Sequence, residues 1–260
     1  MSVFINIIQK NAAGFLSGAL TTMEVALLGT VIGSVIGLLI GVIKTIPVKE
    51  TDMLIKRVFF KIINTILTVY IEIFRGTPMI IQAVIIFYGA AQLFGIHMNM
   101  IFAGIFIVSI NTGAYMSEIV RGGINSIDKG QFEAAHAVGM SHGQTMFNII
   151  LLQTVRNILP ATSNEFVINI KDTAVLNVIG LSELFFKTKG IYGRNLLYYQ
   201  TALIACAIYF VLTFATTRIL RLLEKKFRGS DSYTVINSRG ARKNTANTAN
   251  TEDIQDTKES

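Results

Sequence analysis

The sequence has little charge and almost no cysteine. Of its 260 residues only 15% are charged, whereas 52% are hydrophobic, and the mean hydropathy is +0.54. This composition leaves too little polar surface to cover a soluble fold. The single cysteine, Cys206, excludes a disulfide framework within one chain. The chain is therefore expected to lie in a lipid bilayer.

Motifs for catalysis and metal binding are also missing. The sequence contains no G-x-x-x-x-G-K-[ST] nucleotide loop, no H-E-x-x-H zinc motif and no G-x-S-x-G nucleophile elbow. Its three histidines, His97, His136 and His142, lack the spacing of a metal-binding set. We therefore expect a protein that is not an enzyme, with no catalytic residue, no metal site and no cofactor bound by this chain.

Long stretches without charge predict helices that cross the membrane. A transmembrane helix needs roughly 20 apolar residues to span the hydrocarbon. Residues 25–43 and 195–217 contain no ionised side chain, and residues 76–117 contain only His97. The last stretch is long enough for two crossings, so the chain is expected to turn back at residues 95–99.

One more crossing, the fourth in chain order and bringing the total to five, is predicted over residues 164–184, although four charged side chains interrupt it. Those four are Glu165, Lys171, Asp172 and Glu183. With five crossings and the amino terminus outside, seventeen Lys and Arg residues fall on the inner side and four on the outer side. This asymmetry is typical of cytoplasmic loops. The sequence thus predicts an all-α integral membrane protein with five transmembrane helices and a cytoplasmic carboxy terminus.

The chain is predicted to have three parts. Residues 1–13 form a short external segment, residues 14–228 form one transmembrane domain, and residues 229–260 form a disordered cytoplasmic tail rich in Ser, Asn, Thr, Asp and Lys. The first three spans are placed at about 14–43, 60–94 and 99–119. The net charge of +7 is concentrated beside the span ends, which favours anionic lipid headgroups over nucleic acid as its partner.

Four glycines recur at every fourth position of the first span: Gly29, Gly33, Gly37 and Gly41. On a helix they form one stripe, and small residues let two backbones approach closely where lipid supplies no hydrophobic drive. The stripe therefore predicts a helix-packing face. The alternative is the general richness of membrane helices in glycine, and neither interpretation specifies a function.

A stretch at about 121–160, between spans three and four, contains a short helix of small residues that Gly139 would end, followed by an apolar helix. This segment resembles the Glu-Ala-Ala coupling loop of the membrane subunits of ATP-binding cassette (ABC) importers. The pattern of that loop is E-A-A, then three residues, G, nine residues and I-x-L-P. Six positions match: Glu133, Ala134, Ala135, Gly139, Ile149 and Leu151. Leu152 replaces the proline, so the helix break is expected to be absent or moved toward Pro160. Without the resemblance, an amphipathic helix on the headgroups would be the simpler interpretation.

Three further segments resemble the subfamily of these importers that takes up polar amino acids. They are YIEIFRGTP at 70–78, AYMSEIVRGGI at 114–124 and KDTAVL at 171–176. The resemblance implies a type I importer permease in the cytoplasmic membrane of a prokaryote. It also implies a second permease subunit in a homo- or heterodimer, an external solute-binding protein, and a cytoplasmic ATPase dimer that carries ATP and magnesium. The ATPase-coupling role falls on Glu133, Ala134, Ala135 and Gly139.

Polar residues within the second span are candidates for the solute path, because ionisable groups at membrane depth usually face a cavity or a partner. Glu72 and Arg75 are three apart on one helix and near enough to pair. They either belong to the path or form a structural ion pair near the membrane edge. Thr77 is also a candidate for the path. Alternatively, its hydroxyl donates to one of the backbone carbonyls that a kink at Pro78 would free.

The fourth span carries the other candidates: Asn164, Glu165, Lys171 and Asp172. Lys171 and Asp172 are adjacent and so point in different directions. Together the four offer both signs of charge, which a zwitterionic amino acid requires. Glu118, with Arg121 three residues on, is expected to close the cytoplasmic end of the third span.

The leading hypothesis is a permease subunit that forms the path for a polar amino acid and is driven by ATP hydrolysis on a separate subunit. A secondary transporter or channel driven by an ion gradient is one alternative, and it predicts inverted repeats that the sequence does not show. Another alternative is a non-conducting membrane subunit that docks partners in a heterodimeric importer.

Overall fold

A computed structural model describes residues 2–48 and 50–228, and every regular element in these ranges is helical. The α-helices are α1 (Ser2–Lys44), α2 (Leu54–Gly76), α3 (Met79–Phe94), α4 (Met100–Asn125), α5 (Lys129–Ala137), α6 (His142–Thr145), α7 (Leu151–Asp172), α8 (Leu184–Asn195) and α9 (Tyr198–Arg228). A π-helical turn spans Met146–Ile150 and a 3₁₀ helix spans Thr173–Ile179. The predicted tail at 229–260 lies outside the described residues.

Three of these helices, α1, α4 and α9, are long and apolar enough to cross a membrane. The pair α2 and α3 passes the same test together, although the two are bent by 113° at their junction. The described residues therefore provide three crossings, or four if the bent pair counts as one. This agrees with the predicted all-helical, multi-pass membrane class.

The predicted single helix over residues 164–184 was wrong. α7 ends at Asp172, the 3₁₀ helix Thr173–Ile179 follows, and α8 begins only at Leu184. Gly180 ends the 3₁₀ helix because it adopts φ 82, a left-handed conformation that glycine takes at no steric cost. The apolar residues on both sides of Gly180 hid this break from a hydropathy argument.

The predicted second span at 60–94 is also divided. α2 ends at Gly76, and Thr77 and Pro78 are both extended, with ψ values of 147° and 134°. A residue before proline is held in the extended region by steric contact with the proline ring. The resulting change of direction, 113°, makes α2 and α3 separate helices rather than one kinked helix.

The predicted turn at residues 95–99 is confirmed. Gly95 has φ 66 and follows the last residue of α3, and its N–H donates to the Ala91 carbonyl. Asn99 then caps α4, because its side-chain oxygen accepts the Ile101 N–H at 2.8 Å. A left-handed glycine and a helix cap thus end one helix and begin the next within five residues.

α1 and α4 form the closest helix pair, along the glycine stripe. Gly29, Gly33, Gly37 and Gly41 lie opposite Val108, Thr112, Met116 and Val120 respectively. A Cβ atom built on Gly37 would lie 2.3 Å from the Met116 Cβ, and the other three would also come within 2.7 Å of their partners. The residue numbers of the partners on α4 rise along with those of the glycines on α1, so the two helices run parallel. α1 is one helix from Ser2 to Lys44 and passes residue 14 without a break.

A buried polar contact joins three helices beside this interface. The Asn169 side-chain amide of α7 donates to the Thr30 hydroxyl of α1 at 2.8 Å and to the Thr112 hydroxyl of α4 at 2.9 Å. All three residues are buried. In a bilayer such bonds between helices replace the hydrophobic drive that holds soluble proteins together. One side of α7 is therefore fixed to the α1–α4 pair.

Candidate functional site

The other side of α7 faces a groove, which separates it from α9. Two adjoining cavities of about 250 Å³ and 300 Å³ lie along this groove, and both contact Val167 of α7 with Thr217 and Arg221 of α9. Asn164 lines the first cavity and Lys171 the second. The structure thus brings two of the predicted path residues into one continuous site, here called the α7–α9 groove.

Cations from both helices line the α7–α9 groove. Lys171 comes from α7, while Arg218 and Arg221 come from α9. The Arg218 guanidinium lies 4.9 Å from the centre of the Phe214 ring, a cation–π distance. Glu224 lines the same cavity as Arg221 and supplies the opposite charge. The site can therefore hold an anionic group near three cations and a cationic group near one carboxylate.

Sequence reasoning missed the contribution of α9 to this groove. It counted Arg218 and Arg221 only as basic residues beyond the last span. The available signal was their spacing, because Thr217, Arg221 and Glu224 recur at intervals of four and three and so share one helical face.

The remaining two candidates on α7, Glu165 and Asp172, lie outside the linings of these two cavities. They are seven residues apart and so share a different face of the helix. Glu165 is partly buried and Asp172 is exposed. The four predicted residues of this segment are therefore divided between two faces.

Of the two interpretations of Glu72 and Arg75, the structural ion pair does not form. In the part of the chain that the structure describes, the ion pairs are Lys44–Glu118, Lys56–Asp52 and Arg121–Glu118. The Arg75 guanidinium instead lies 5.5 Å from the centre of the Tyr115 ring on α4. The aromatic ring of a neighbouring helix thus replaces the carboxylate as its partner. Glu118 pairs with Arg121 at 2.7 Å.

Thr77 lies in a hydrogen-bond network at the break between α2 and α3. Its hydroxyl donates to the Ile73 carbonyl at 2.8 Å, and the Gln82 amide donates to the Phe74 carbonyl at 3.0 Å. The Asn111 amide of α4 donates to the Gln82 side-chain oxygen at 2.9 Å. These side chains satisfy the carbonyls that the helix break at Thr77 and Pro78 leaves without a backbone N–H donor. The polar residues Gln82 and Asn111, each inside an apolar run, were the missed signal.

The segment that resembles a coupling loop forms a short capped helix, α5. The Asp128 carboxylate accepts the Gly130 N–H at its start. At its end the Gly139 N–H donates to the His136 carbonyl and the Met140 N–H to the Ala135 carbonyl, both at 3.0 Å. With Gly139 at φ 83, these two hydrogen bonds form a Schellman motif, the common glycine cap of a helix carboxy terminus.

One face of α5 is held by the membrane domain and the other is exposed. Ala135 is 3% exposed, and Phe132 packs against a buried cluster that includes Met116 and Ile150. The exposed side presents three further positions of the motif and an apolar side chain at its end. They are Glu133, Ala134, Gly139 and Val138, of which Val138 is 77% exposed. An exposed apolar residue beside small side chains indicates a surface for a partner.

The helix break that the coupling-loop pattern places at Leu152 is absent. α7 begins at Leu151 and continues through Pro160 to Asp172. The irregularity precedes it, as the π-helical turn Met146–Ile150. His142 lies just before this turn, where burial and the neighbouring His136 lower the pKa of its imidazole. The imidazole is therefore neutral at pH 7.

Known proteins resemble this chain over most of its length. The arginine transport system permease protein ArtQ of Bacillus subtilis (strain 168) is 38% identical over 162 residues, which cover 62% of this chain and 74% of ArtQ. The putative glutamine transport system permease protein GlnP of Rickettsia bellii (strain RML369-C) is 38% identical over 157 residues, which cover 60% of this chain and 72% of GlnP.

A solved structure is also similar, the "Crystal structure of an amino acid ABC transporter with histidines". It aligns with a TM-score of 0.74 and 34% identity over 86% of this chain and 98% of that chain. The family described as "Binding-protein-dependent transport system inner membrane component" matches residues 51–229. That match includes the break at Pro78, the helix α5 and the α7–α9 groove. The chain therefore belongs to the family of inner membrane components of binding-protein-dependent transport systems.

Proposed function

We propose that this chain is the permease subunit of an ABC importer for a polar amino acid. The observation that carries the proposal is the α7–α9 groove, which places Lys171, Arg218 and Arg221 beside Asn164 and Glu224. The family match supplies the transport class, and the similarity to permeases named for arginine and glutamine supports the substrate class.

The groove has the chemistry that a zwitterionic solute needs. The carboxylate of an amino acid binds most strongly to guanidinium and ammonium groups, through charge-assisted hydrogen bonds. Its ammonium group is matched by the Glu224 carboxylate and the Asn164 amide oxygen. Lys171 lies within the proposed fourth crossing, where a charged side chain is unfavourable unless it faces water, a partner or a solute. The α7–α9 groove thus forms part of the translocation path.

The proposed topology has five crossings, with the amino terminus outside and the carboxy terminus cytoplasmic. α1 and α4 are parallel, and α2 and α3 lie between them in the chain. This order fits α1 as the first crossing and α4 as the third. α7 with the following 3₁₀ helix would make the fourth crossing, and α9 the fifth. The excess of Lys and Arg on the inner side supports the orientation. The bacterial relatives favour the cytoplasmic membrane of a prokaryote.

Energy enters through α5, which would dock on a separate ATPase subunit. Its exposed side presents Glu133, Ala134 and Gly139, while Phe132 and Ala135 connect the helix to the cluster between α4 and α7. Movement of α5 is therefore transmitted to the helix that lines the groove. In this scheme the chain binds no cofactor itself. A second permease subunit, an ATPase dimer that carries ATP and magnesium, and an external solute-binding protein complete the importer.

The test is reconstitution of the importer in proteoliposomes with Gly139→Leu in this chain. A Cβ atom at Gly139 meets no atom within 4 Å, but its φ of 83 strains any other residue. The substitution alters the exposed end of α5 and should uncouple ATP hydrolysis from uptake, so that ATPase activity persists while uptake falls at least tenfold. The matched control is Gly143→Leu, which is also unobstructed and has no positive φ.

Thermal unfolding first establishes that Gly139→Leu and the unaltered chain are both folded. Equal coupled uptake by the two would then contradict the docking role of α5. Uptake that continues without ATP and follows an ion gradient would instead favour a secondary transporter. Absence of uptake by this chain as the sole permease, with recovery when a second permease is added, would favour the docking-subunit alternative.

A further inference from the structure

A third pocket, of about 460 Å³, lies at the start of α2 and has no part in the α7–α9 groove. Its floor is apolar and is formed by Val48, Leu54, Val58 and Phe60. Three polar side chains complete the lining: Arg57, Lys61 and Asn64. Residues 54, 57, 58, 61 and 64 are three or four apart, so one face of α2 supplies nearly the whole pocket.

The two cations of this pocket lack acidic partners. Among the described residues neither Arg57 nor Lys61 forms an ion pair, and the Arg57 guanidinium donates to the backbone carbonyl of Glu50 at 3.4 Å. Their neighbour Lys56 differs, because it pairs with Asp52 at 3.0 Å. Two unpaired cations beside one cavity attract an anion.

Two further features of the pocket point to a ligand with hydrogen-bonding groups. The Asn64 side-chain oxygen is buried and has no hydrogen-bond partner among the described residues. A buried acceptor without a donor is unfavourable, so rotation of the Asn64 side chain toward the pocket that it lines, where a ligand hydroxyl can donate to its oxygen, would be stabilising. In addition, Met53 provides no side-chain cap for α2, whose first N–H groups and dipole favour a negative charge nearby.

The position of the pocket along α2 matches the membrane surface. The cations of this helix before its last turn, Lys56, Arg57 and Lys61, all lie in its first eight residues. Exposed apolar side chains begin among them with Phe59 and continue past Lys61 with Ile62 and Ile66. Cations and a hydrogen-bond acceptor at one end, followed by an exposed apolar track, fit the headgroup and acyl chains of a phospholipid.

We propose that this pocket is a binding site for an anionic glycerophospholipid whose headgroup carries a free hydroxyl. Arg57 and Lys61 bind the phosphate, and the headgroup hydroxyl donates to the Asn64 side-chain oxygen. The acyl chains lie along the exposed face of α2. The site depends on insertion of the chain in a membrane and not on the identity of the transported solute.

The experiment measures lipid binding to the purified full-length chain in detergent by native mass spectrometry, with phosphatidylglycerol as the probe. Phosphatidylcholine tests for nonspecific lipid, phosphatidic acid lacks the headgroup hydroxyl, and inorganic phosphate tests whether the anion alone suffices. We expect phosphatidylglycerol to bind at least tenfold more tightly than phosphatidylcholine, and inorganic phosphate at millimolar concentration not to displace it.

Lys61→Gln should weaken phosphatidylglycerol binding by about tenfold, whereas Lys56→Gln should change it by less than about twofold. The control removes the same charge from the same helix, but at a residue that pairs with Asp52 and does not line the pocket. Asn64→Leu should reduce the preference for phosphatidylglycerol over phosphatidic acid. Thermal unfolding in phosphatidylcholine nanodiscs establishes that each variant is folded.

Equal effects of Lys61→Gln and Lys56→Gln would overturn the proposal, because they would indicate attraction to diffuse surface charge. Equal binding of phosphatidylglycerol and phosphatidylcholine would also overturn it, as would displacement by inorganic phosphate. Unchanged lipid binding by Lys61→Gln, with loss of the ATPase subunit from the assembled importer, would assign the pocket to a protein contact instead.

Discussion

The α1–α4 interface and the α7–α9 groove are two helix pairs of opposite design. α1 and α4 are in contact along four glycines, with no room for a single added carbon atom. α7 and α9 are separated by two cavities that charged side chains line. Because lipid does not drive helices together, close packing needs small residues and a water-filled gap needs polar ones. Side-chain size and charge therefore decide which pair closes and which remains open.

The strongest way to break this contrast is to enlarge Gly37. A Cβ atom there would lie 2.3 Å from Met116 Cβ and 2.7 Å from its backbone carbonyl carbon, so no side-chain movement relieves the clash. Gly37→Leu should lower the free energy of unfolding by about 3 kcal/mol or more, or prevent folding. The measurement is thermal unfolding in nanodiscs.

The control for this prediction is Gly14→Leu, on the same helix at a position with no atom within 4 Å. It should leave the free energy of unfolding within about 0.5 kcal/mol of that of the unaltered protein. Comparable stability of the two variants would show that the α1–α4 contact is not required for folding.

A smaller effect on stability is expected for substitutions in α7, which contacts the α1–α4 pair on one side and lines the α7–α9 groove on the other. Asn169→Leu removes the hydrogen bonds to Thr30 and Thr112, each of which should contribute about 0.6 kcal/mol in a membrane. The free energy of unfolding should fall by about 1 kcal/mol. Asn164→Leu, on the side of α7 that faces the groove, is the matched comparison and should change stability by less than half as much. The reverse order would contradict the division of α7 into a fixed side and an open side.

The smallest effect on stability, with a clear effect on transport, is expected for Lys171→Gln. Lys171 lines the groove and is exposed, so its charge contributes little to folding. Loss of a charge-assisted contact to the solute should raise the KM for uptake about tenfold, equivalent to ~1.4 kcal/mol. Lys10→Gln, exposed on α1, controls for net charge. An unchanged KM in reconstituted uptake would exclude Lys171 from the path.

The sequence was sufficient for the features that depend on local chemistry. Gly95 and Asn99 predicted the turn between α3 and α4, because a left-handed glycine and a capping amide act within a few residues. The ion pair between Glu118 and Arg121 also depends only on local chemistry, because residues three apart on a helix are neighbours. Hydropathy likewise located the long apolar helices, because a bilayer demands a minimum length.

The failures concern features that depend on distant residues. The angle between α2 and α3 is held by Gln82 and by Asn111, which is far from Pro78 in sequence. Spacing left the role of Arg75 open, because its contact with Tyr115 of α4 depends on a residue far from it in sequence. The groove needed both α7 and α9, so Arg221 became a site residue only when the two helices were seen together. The four-step glycine pattern, in contrast, was visible at once.

That pattern has a consequence for how α1 finds its position against α4. Glycines recur every four residues on α1, and their partners Val108, Thr112, Met116 and Val120 recur every four residues on α4. Glycines alone therefore leave the register degenerate, since a slip of one step, about 6 Å at ~1.5 Å per residue, restores a similar fit. The contact of Asn169 with Thr30 and Thr112 exists in one alignment only. A single buried amide thus selects the native register from a repeating set, as a buried asparagine does in coiled coils.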